Sequence, residues 1–479
     1  MSTARRRLVV VGGGISGLAA AWAAVQAAAR DSARDSARDA ARDALRAPDG
    51  IEVLLLERER GAGGKARSIR RDGWLVECGP SSYLPGDGAV EALADGVGMT
   101  GEIIEADPVA RRRYIHIDGR MREVASSPVG LVRAGLLTAR GAARLCIEPF
   151  IPRVRDGEDE SVWAFAARRL GAQVADRLVL PAALGVFAGD AKRLSMRAAF
   201  PRMARLERVH GSLLRGMIAG RRASATPPDR RGPLSFHDGM QSLPRALAER
   251  GGFEVRFGCA VTSLEREGGR WRVAVEGDAP IVADAVILSS GAVHAAHLLR
   301  SHAPAASDAL TEIRSPGIAV VSLGFGPEAR ARIPCGFGVL IARGEGYRML
   351  GNIFESQLFP RRAPEGHTLL RVMLGGATDE RALDLADDDL AALARREVAQ
   401  LYGLRAPPVF EHVTRAPSAI PQYEIGHEAR IERLERAMAP LLGITLTGFA
   451  LRGISFPDAA ADGIRVGDRA WQSPAHRSL

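Results

Sequence analysis

Val9-Val10-Val11-Gly12-Gly13-Gly14-Ile15-Ser16-Gly17-Leu18, near the start of a 479-residue chain, reads as a buried strand, a glycine turn and the first turn of a helix. The pattern G-x-G-x-x-G falls on Gly12, Gly14 and Gly17. A tight turn needs a residue without Cβ, a pyrophosphate needs close backbone approach, and helix–strand packing needs a small third residue. The helix that begins at Ile15 and Ser16 points free N–H groups and the positive end of its dipole at the same place. The stretch predicts a dinucleotide-binding turn, and the residues downstream must supply the remaining partners.

A helix is expected to continue over residues 18–29. It runs into Ala29-Arg30-Asp31-Ser32-Ala33-Arg34-Asp35-Ser36-Ala37-Arg38-Asp39-Ala40-Ala41-Arg42-Asp43, a near-tandem repeat. Arg and Asp at this spacing suit ion pairs on a solvated helix, so the repeat is a low-complexity extension of the helix or a loop. The second strand, Ile51-Glu52-Val53-Leu54-Leu55-Leu56, ends at Glu57. In a dinucleotide fold an acid there accepts hydrogen bonds from the adenosine ribose, usually about 20 residues after the last glycine. Here the interval is roughly twice that, and the repeat accounts for the excess without disturbing either end. Arg58 follows, then Gly63-Gly64-Lys65, a second glycine pair with a cation, which suggests another backbone approach to phosphate. Trp74-Leu75-Val76-Glu77-Cys78 predicts a strand ending in the turn Gly79-Pro80-Ser81-Ser82, whose backbone groups suit a planar ring.

The composition, 46% hydrophobic and 25% charged, allows a sizeable core in two or three domains. The formal net charge is +9, carried almost wholly by arginine; Lys65 and Lys192 are the only lysines. A coding bias toward arginine explains this; a basic face for an anionic substrate or a membrane surface is the sharper alternative. Nucleic acid is excluded as a partner by the lack of a basic run interleaved with aromatics. Cys78, Cys146, Cys259 and Cys335 are far apart, with no metal-ligand spacing, so free thiols in a reducing, cytoplasmic compartment and no metal site are expected. Residues 1–7 run straight into the first strand, so no leader is expected. No apolar run of about 18 residues predicts a spanning helix.

Residues 91–231 read as mostly helical. Within them, 131–151 is an apolar stretch spaced by Arg133, Arg140 and Arg144, suited either to lie on a membrane or to face a core. Pro227, Pro228 and Gly232 mark a loop over 222–231. Strand patterns return at 254–257, 260–265, 271–275 and 281–290, and again at 318–325 and 368–375, with a helix over 390–401.

The series G-x-G-x-x-G, E-R-x-x-x-x-G-G-K-x-x-S and E-x-G-P-x-S resembles the FAD-containing amine oxidase and protoporphyrinogen oxidase superfamily. Later stretches sharpen the resemblance. They are Arg112-Arg113-Tyr114-Ile115 with the Gly119-Arg120 turn, Gly185-Val186-Phe187-Ala188-Gly189-Asp190 with Leu194-Ser195, and Phe236-His237-Asp238-Gly239-Met240 with Leu243. Gly336-Phe337-Gly338-Val339-Leu340, Met349-Leu350-Gly351, Met373-Leu374-Gly375-Gly376, Ile420-Pro421-Gln422-Tyr423 and Gly426-His427 complete it. It extends over residues 9–451, nearly the whole chain.

The resemblance implies an α/β (α+β) fold in three parts. A Rossmann-like FAD-binding domain would comprise residues 1–90, 233–300 and 440–479; a helical region of 91–232 would cap the substrate and is a candidate for membrane contact; residues 301–439 would form a mixed-sheet substrate domain. It implies oxygen-dependent oxidation of protoporphyrinogen IX to protoporphyrin IX in haem biosynthesis. FAD takes hydride at N5, dioxygen reoxidises it to hydrogen peroxide, and no side chain need be catalytic. That agrees with the lack of a nucleophile motif or Ser/His/Asp arrangement; His210, His294 and His427 read as structural. Arg113 matches a propionate-binding arginine, which suits a carboxylate bidentately. Leu340 matches a position that packs on the macrocycle, with Met373 and Phe337 as its neighbours, and Gly185 a glycine whose carbonyl approaches a pyrrole N–H. Besides the residues of the glycine turns, the backbone of Val261 matches an adenine contact.

One departure stands out. The family's closing motif here reads Gly448-Phe449-Ala450-Leu451-Arg452-Gly453-Ile454-Ser455-Phe456-Pro457-Asp458, with Phe449 in place of a small or amide residue and no cysteine. Gly448, Gly453, Ile454 and Ser455 remain cofactor candidates, but Gly463 and Gly467 predict that the final helix is interrupted and short. Alternatives are oxidation of coproporphyrinogen III, another flavin amine oxidase or desaturase, and a flavin-poor binding relative. The expected partners are porphyrinogen and dioxygen, with peripheral contact at the inner face of the cell membrane and a homodimer left open.

Overall fold

The computed structural model describes residues 6–39, 51–153, 158–223 and 232–472. Strand β1 (Arg6–Val11) leads through the glycine turn into helix α1 (Ile15–Asp39), and strand β2 (Ile51–Glu57) returns beside β1 in parallel. The five-stranded sheet runs Ile444–Leu446, Ala285–Leu288, β1, β2, Glu254–Phe257, every neighbour parallel. Its three central strands carry buried apolar runs because both faces are covered there, whereas the edge strand Glu254–Phe257 is largely exposed. Leu8 and Val10 pack with Leu18 and the alanines of α1, while Val9 and Val11 pack against Trp271, Val273 and the helices after residue 291. Helix α1 enters the first part of the repeat as expected; residues 40–50, with the repeat's end, and 224–231 of the expected loop lie outside the described residues.

The second sheet has seven strands and is mixed. Its order is Phe410–Ala416, Ile318–Phe325, Thr368–Gly375, Met349–Ile353, Gly338–Ile341, Tyr114–Ile117, Arg120–Glu123, with one parallel pair, Gly338–Ile341 beside Tyr114–Ile117. The last two strands come from the segment expected to be helical. They form a hairpin whose turn residues, Asp118 and Gly119, both have positive φ (53° and 68°), as its tight geometry requires. One sheet face carries Ala319, Val321, Val339 and Leu370 against the helix Asp387–Tyr402. The other carries Ile115, Ile117, Val320 and Leu340 against residues 128–190.

Residues 131–151 are not one amphipathic helix. They divide into Pro128–Arg133, Ala139–Cys146 and a short turn, Glu148–Phe150, because Ser127 and Thr138 each cap a new helix. Leu131, Leu136 and Leu137 are buried, whereas Ile147 and Phe150 are exposed. Arg169 and Glu148, both buried, form an ion pair at the centre of this region, and Glu148 also accepts from Ser212 Oγ (2.6 Å) and the Leu213 amide (2.9 Å). Among the described residues no helix is long and apolar enough to cross a membrane.

The end of the chain corrects the expectation of a short helix. Helix α2, Phe456–Gln472, is continuous and lies along α1. A Cβ on Gly463 would stand 2.2 Å from the Ser16 carbonyl oxygen, and one on Gly467 2.2 Å from that of Ala20. The glycines bring two backbones together rather than breaking the helix, and this contact offsets their low helix propensity.

Candidate functional site

The site forms where the carboxyl ends of β1 and β2 meet the second sheet. Gly12 has φ +112°, and a Cβ there would sit 2.9 Å from the Ser289 carbonyl oxygen; one on Gly17 would sit 2.0 Å from that of Gly12. At Gly14 the space is open, with no atom within 4 Å of where a Cβ would be. Gly63 and Gly64, both at positive φ, close over this turn: the Gly63 amide donates to Gly13 O (2.9 Å), and a Gly64 Cβ would lie 3.1 Å from Gly14 Cα. The two glycine pairs, 50 residues apart, thus build one backbone-lined cradle.

Glu57 ends β2 within this turn, accepting from the Gly13 amide (2.5 Å) and the Glu59 amide (2.8 Å). Such a carboxylate fits a nucleoside ribose beside the phosphates. Arg58 points outward, 3.3 Å from Glu59. The Val261 carbonyl is occupied: His294 Nε2 lies 2.9 Å from it. His294 interacts electrostatically with Glu57 and Arg58, and burial lowers its pKa, so a neutral ring stands at the ribose end. Sequence reasoning left His294 as structural, and no motif marks it.

The opposite wall comes from the Gly79-Pro80-Ser81-Ser82 turn. A Cβ on Gly79 would stand 1.8 Å from Lys65 O, so only glycine fits. Arg371, on the second sheet, donates to Gly79 O, and Ser235 Oγ donates to Ser81 O (3.0 Å). Beneath lies a fully buried ion pair, Glu77 with Arg362 (2.6 Å), in which Glu77 also accepts from Ser68 Oγ (2.6 Å) and the Met240 amide (2.9 Å). Burial raises the Glu77 pKa and Arg362 opposes that rise. Arg362 ties the turn's strand to the second sheet.

The altered closing motif forms the far side. Gly448 has φ +127° and open space where its Cβ would be; its amide donates to Asp462 (3.2 Å). Gly453, φ +73°, lets the chain reverse against Asp458, which receives a hydrogen bond from Ser455 Oγ (2.6 Å) at the start of α2. Ile454 packs with Ile420, Phe187 and Leu194 of the capping region. Tyr423 Oη donates to Phe449 O (2.5 Å), and His427, stacked on Tyr423 at 4.1 Å, places Nε2 3.1 Å from Leu451 O. The motif I-P-Q-Y…G-H thus supports the loop that carries Phe449.

From this cradle a largely apolar wall leads away along the second sheet. Met373 packs with Leu184, Leu350, Ala419 and Ile420. Gly185 faces Leu340, whose Cδ2 would be 2.4 Å from a Cβ there. Arg113, just before the strand Tyr114–Ile117 that pairs with Gly338–Ile341, lies over the Phe337 ring, 5.4 Å from its centroid, and Phe337 packs in a separate cluster with Ala106, Ala110 and Phe359. Its neighbour Arg112 is paired with Glu123 (2.9 Å); Arg113 has no ion pair among the described residues. This difference, invisible in the run Arg111-Arg112-Arg113, leaves Arg113 as an available cation. Among the described residues no cluster of side chains suits a metal ion.

Comparison with known proteins agrees with this architecture. The model of the family described as flavin containing amine oxidoreductase matches residues 15–470. The chain is 28% identical to the coproporphyrinogen III oxidase of Bacillus subtilis (strain 168) over 480 residues, covering 97% of each chain. It is 32% identical to a chloroplastic protoporphyrinogen oxidase of Oryza sativa subsp. japonica over 458 residues, 90% of this chain and 81% of that one. The crystal structure of a protoporphyrinogen oxidase candidate from Exiguobacterium sp. 255-15 superposes with a TM-score of 0.82 at 25% identity, over 98% of this chain and 99% of the other.

Proposed function

The chain belongs to the flavin containing amine oxidoreductase family and is an FAD-dependent oxidoreductase, and from that premise we propose that it oxidises protoporphyrinogen IX to protoporphyrin IX with dioxygen as the final acceptor. The observation that carries the reading is the apolar surface of Leu340 and Met373, joined through Gly185 and Leu184, with the cation Arg113 just before the strand paired beside Gly338–Ile341. When bound, the flavin supplies the hydride acceptor and passes the electrons to dioxygen, with hydrogen peroxide as by-product. The chain's own residues bind and orient. Gly12, Gly14, Ile15, Ser16 and Gly17, with Gly63, Gly64 and Lys65, would hold the pyrophosphate; Glu57 would hold the ribose, with Arg58 and Val261 toward the adenosine. Gly79, Pro80, Ser81 and Ser82, with Gly448, Gly453, Ile454 and Ser455, would border the flavin ring. Arg113 receives a propionate, and Leu340 and Met373 exclude water from the macrocycle.

A tetracarboxylate, coproporphyrinogen III, is the competing substrate, supported by the likeness to the Bacillus subtilis relative. Against it stands a cavity of about 350 Å³ at the end of the sheet away from Arg113, where Asp118, Asp176, Asp190 and Glu345 outnumber Arg177 and Arg343. That edge repels added carboxylates. Aerobic incubation with each porphyrinogen, followed by porphyrin fluorescence, decides: faster turnover of coproporphyrinogen overturns the assignment, and a purified protein without flavin absorption overturns the reaction class. We place peripheral membrane contact on the capping region, where Val129, Ile147, Phe150, Val209, Met217 and Ile218 are exposed.

A further inference from the structure

Arg371 joins the second sheet to the Gly79 turn, and its surroundings give it a role beyond that tie. It lies in the strand Thr368–Gly375, two residues before Met373, so both side chains leave the same face of the sheet. Met373 meets apolar partners on that face, Leu184, Leu350, Ala419 and Ile420. Arg371 is 7% exposed; its guanidinium donates to Gly79 O, and its buried Nε has no hydrogen-bond partner. Arg362, also buried, pairs with Glu77 at 2.6 Å, whereas among the described residues no carboxylate forms an ion pair with Arg371. The groups around it supply no direct counter-charge. Ser322 stands between Arg371 and His412 in the row that crosses the three strands Thr368–Gly375, Ile318–Phe325 and Phe410–Ala416. Burial, then Arg71 and Arg67, lower the His412 pKa, so that ring is neutral near pH 7. Glu355, buried with neither carboxylate oxygen hydrogen-bonded, acts electrostatically on Glu77 and is not in contact with Arg371.

A guanidinium keeps its charge in proteins, and burying it without a charged partner is costly. A preorganised charge in a dry site acts most strongly on charge that develops beside it. We infer that Arg371 is a fixed positive charge behind the wall that borders the flavin, favouring the reduced cofactor and any anion that adds to the ring, while its hydrogen bond keeps the Gly79 turn in place. This rests on the flavin reading above. Hydride brings its acceptor two electrons and one proton, a net gain of one negative charge; the substrate loses that hydride, and Arg371 neither gives nor takes a proton. In the same reading the other two cations meet charges present in both redox states, Arg113 a propionate and Lys65 the pyrophosphate. Arg371 has no such partner, so the charge that comes and goes with reduction is the one left for it. It is a positioning residue that acts through the turn and through its field, without touching the substrate.

The test uses flavin-loaded protein and two readouts besides turnover. One is the two-electron midpoint potential, measured anaerobically against a reference dye. The other is the affinity for sulfite, an anion that adds to the flavin ring and bleaches it. Arg371→Met and Arg371→Gln should each make reduction about tenfold less favourable, roughly 30 mV in a two-electron potential. Sulfite binding should weaken by about the same factor, because the adduct also carries negative charge beside the missing cation. Arg371→Lys, which keeps a charge and a donor for Gly79 O, should stay near the wild type in both. Added salt should leave the differences standing, since a buried charge is screened little. A residue that only ties the sheet to the turn would change the melting temperature and flavin content of its variants but not these two quantities. Where Arg371→Met sheds flavin, Arg371→Gln and Arg371→Lys carry the comparison. An unchanged potential or unchanged sulfite affinity in the neutral variants, a lysine variant that falls as far as they do, or loss of flavin from all three overturns the inference. Wild-type protein that binds no flavin would instead overturn the underlying functional reading.

Discussion

Substituting Gly463 by alanine sets two physical effects of opposite sign against each other. Gly463 sits inside helix α2, where alanine is intrinsically better by about 1 kcal/mol. The contact with α1 predicts the reverse. The new methyl would stand 2.2 Å from Ser16 O, 2.9 Å from Ala19 Cβ and 3.0 Å from Ser16 C. Ordinary van der Waals contact is about 3.5 Å, so the helices must separate by roughly 1 Å, and overpacking of this kind costs about 1–3 kcal/mol. Ser16 lies in the first turn after Gly14, so the separation also shifts the amides that we propose hold the cofactor phosphates. If FAD affinity falls below the working concentration, up to about 2.7 kcal/mol of ligand stabilisation, the value at 100 times Kd, goes with it. Gly463→Ala should therefore lower the melting temperature by several degrees, lose flavin on gel filtration, and regain little stability when FAD is added. Gly101→Ala, which adds a methyl where no atom lies within 4 Å, is the control. A Gly463→Ala protein that melts higher than the wild type and keeps its flavin-to-protein absorbance ratio would refute the close-contact argument.

Other outcomes follow from the same geometry. Arg113→Ala should raise KM about tenfold or more, with flavin still bound, because a charge-assisted pair contributes roughly 1.5–3 kcal/mol; steady-state kinetics with an unchanged KM removes it from the site. Arg362→Met should destabilise by about 3–5 kcal/mol, since it strands Glu77 as a buried unpaired carboxylate, and thermal melts near pH 5 should show a smaller loss than at pH 8. His427 binds its proton less readily in the folded state, at about 4, than in the unfolded chain at about 6.5. The unfolded chain thus binds more protons between those values, and stability falls as pH drops through that window, by at most about 3 kcal/mol; His427→Gln should flatten this part of the melting-temperature profile. Phe150→Asp should weaken sedimentation with anionic vesicles if the exposed apolar face of the capping region meets the membrane.

Local chemistry was legible in the chain where the required conformation depends on neighbours in sequence. The Gly12–Gly17 turn, the acid ending β2 and the glycine pair at 63–64 all follow from backbone sterics and strand periodicity, and they meet in space as expected. The repeat lengthened the interval to Glu57 without altering the site, because an insertion within a helix leaves the strand ends where they were.

What the tertiary structure decided depends on partners far away in the chain. Gly463 and Gly467 look like helix breakers until α1 lies against them. Residues 114–123 could not be assigned to the second sheet from a helical neighbourhood, because pairing with Gly338–Ile341 supplies the missing edge. Arg112 and Arg113 are alike in sequence, and only Glu123 across the hairpin neutralises one and leaves the other. The opening stretch shows the same division: Gly12, Gly14 and Gly17 determine a tight turn on their own, but Gly63 and Gly64 close over it only once the chain is folded. A pattern of hydrophobicity and glycine encodes local geometry; the free energy of a charge depends on everything packed around it, which only the folded chain assembles.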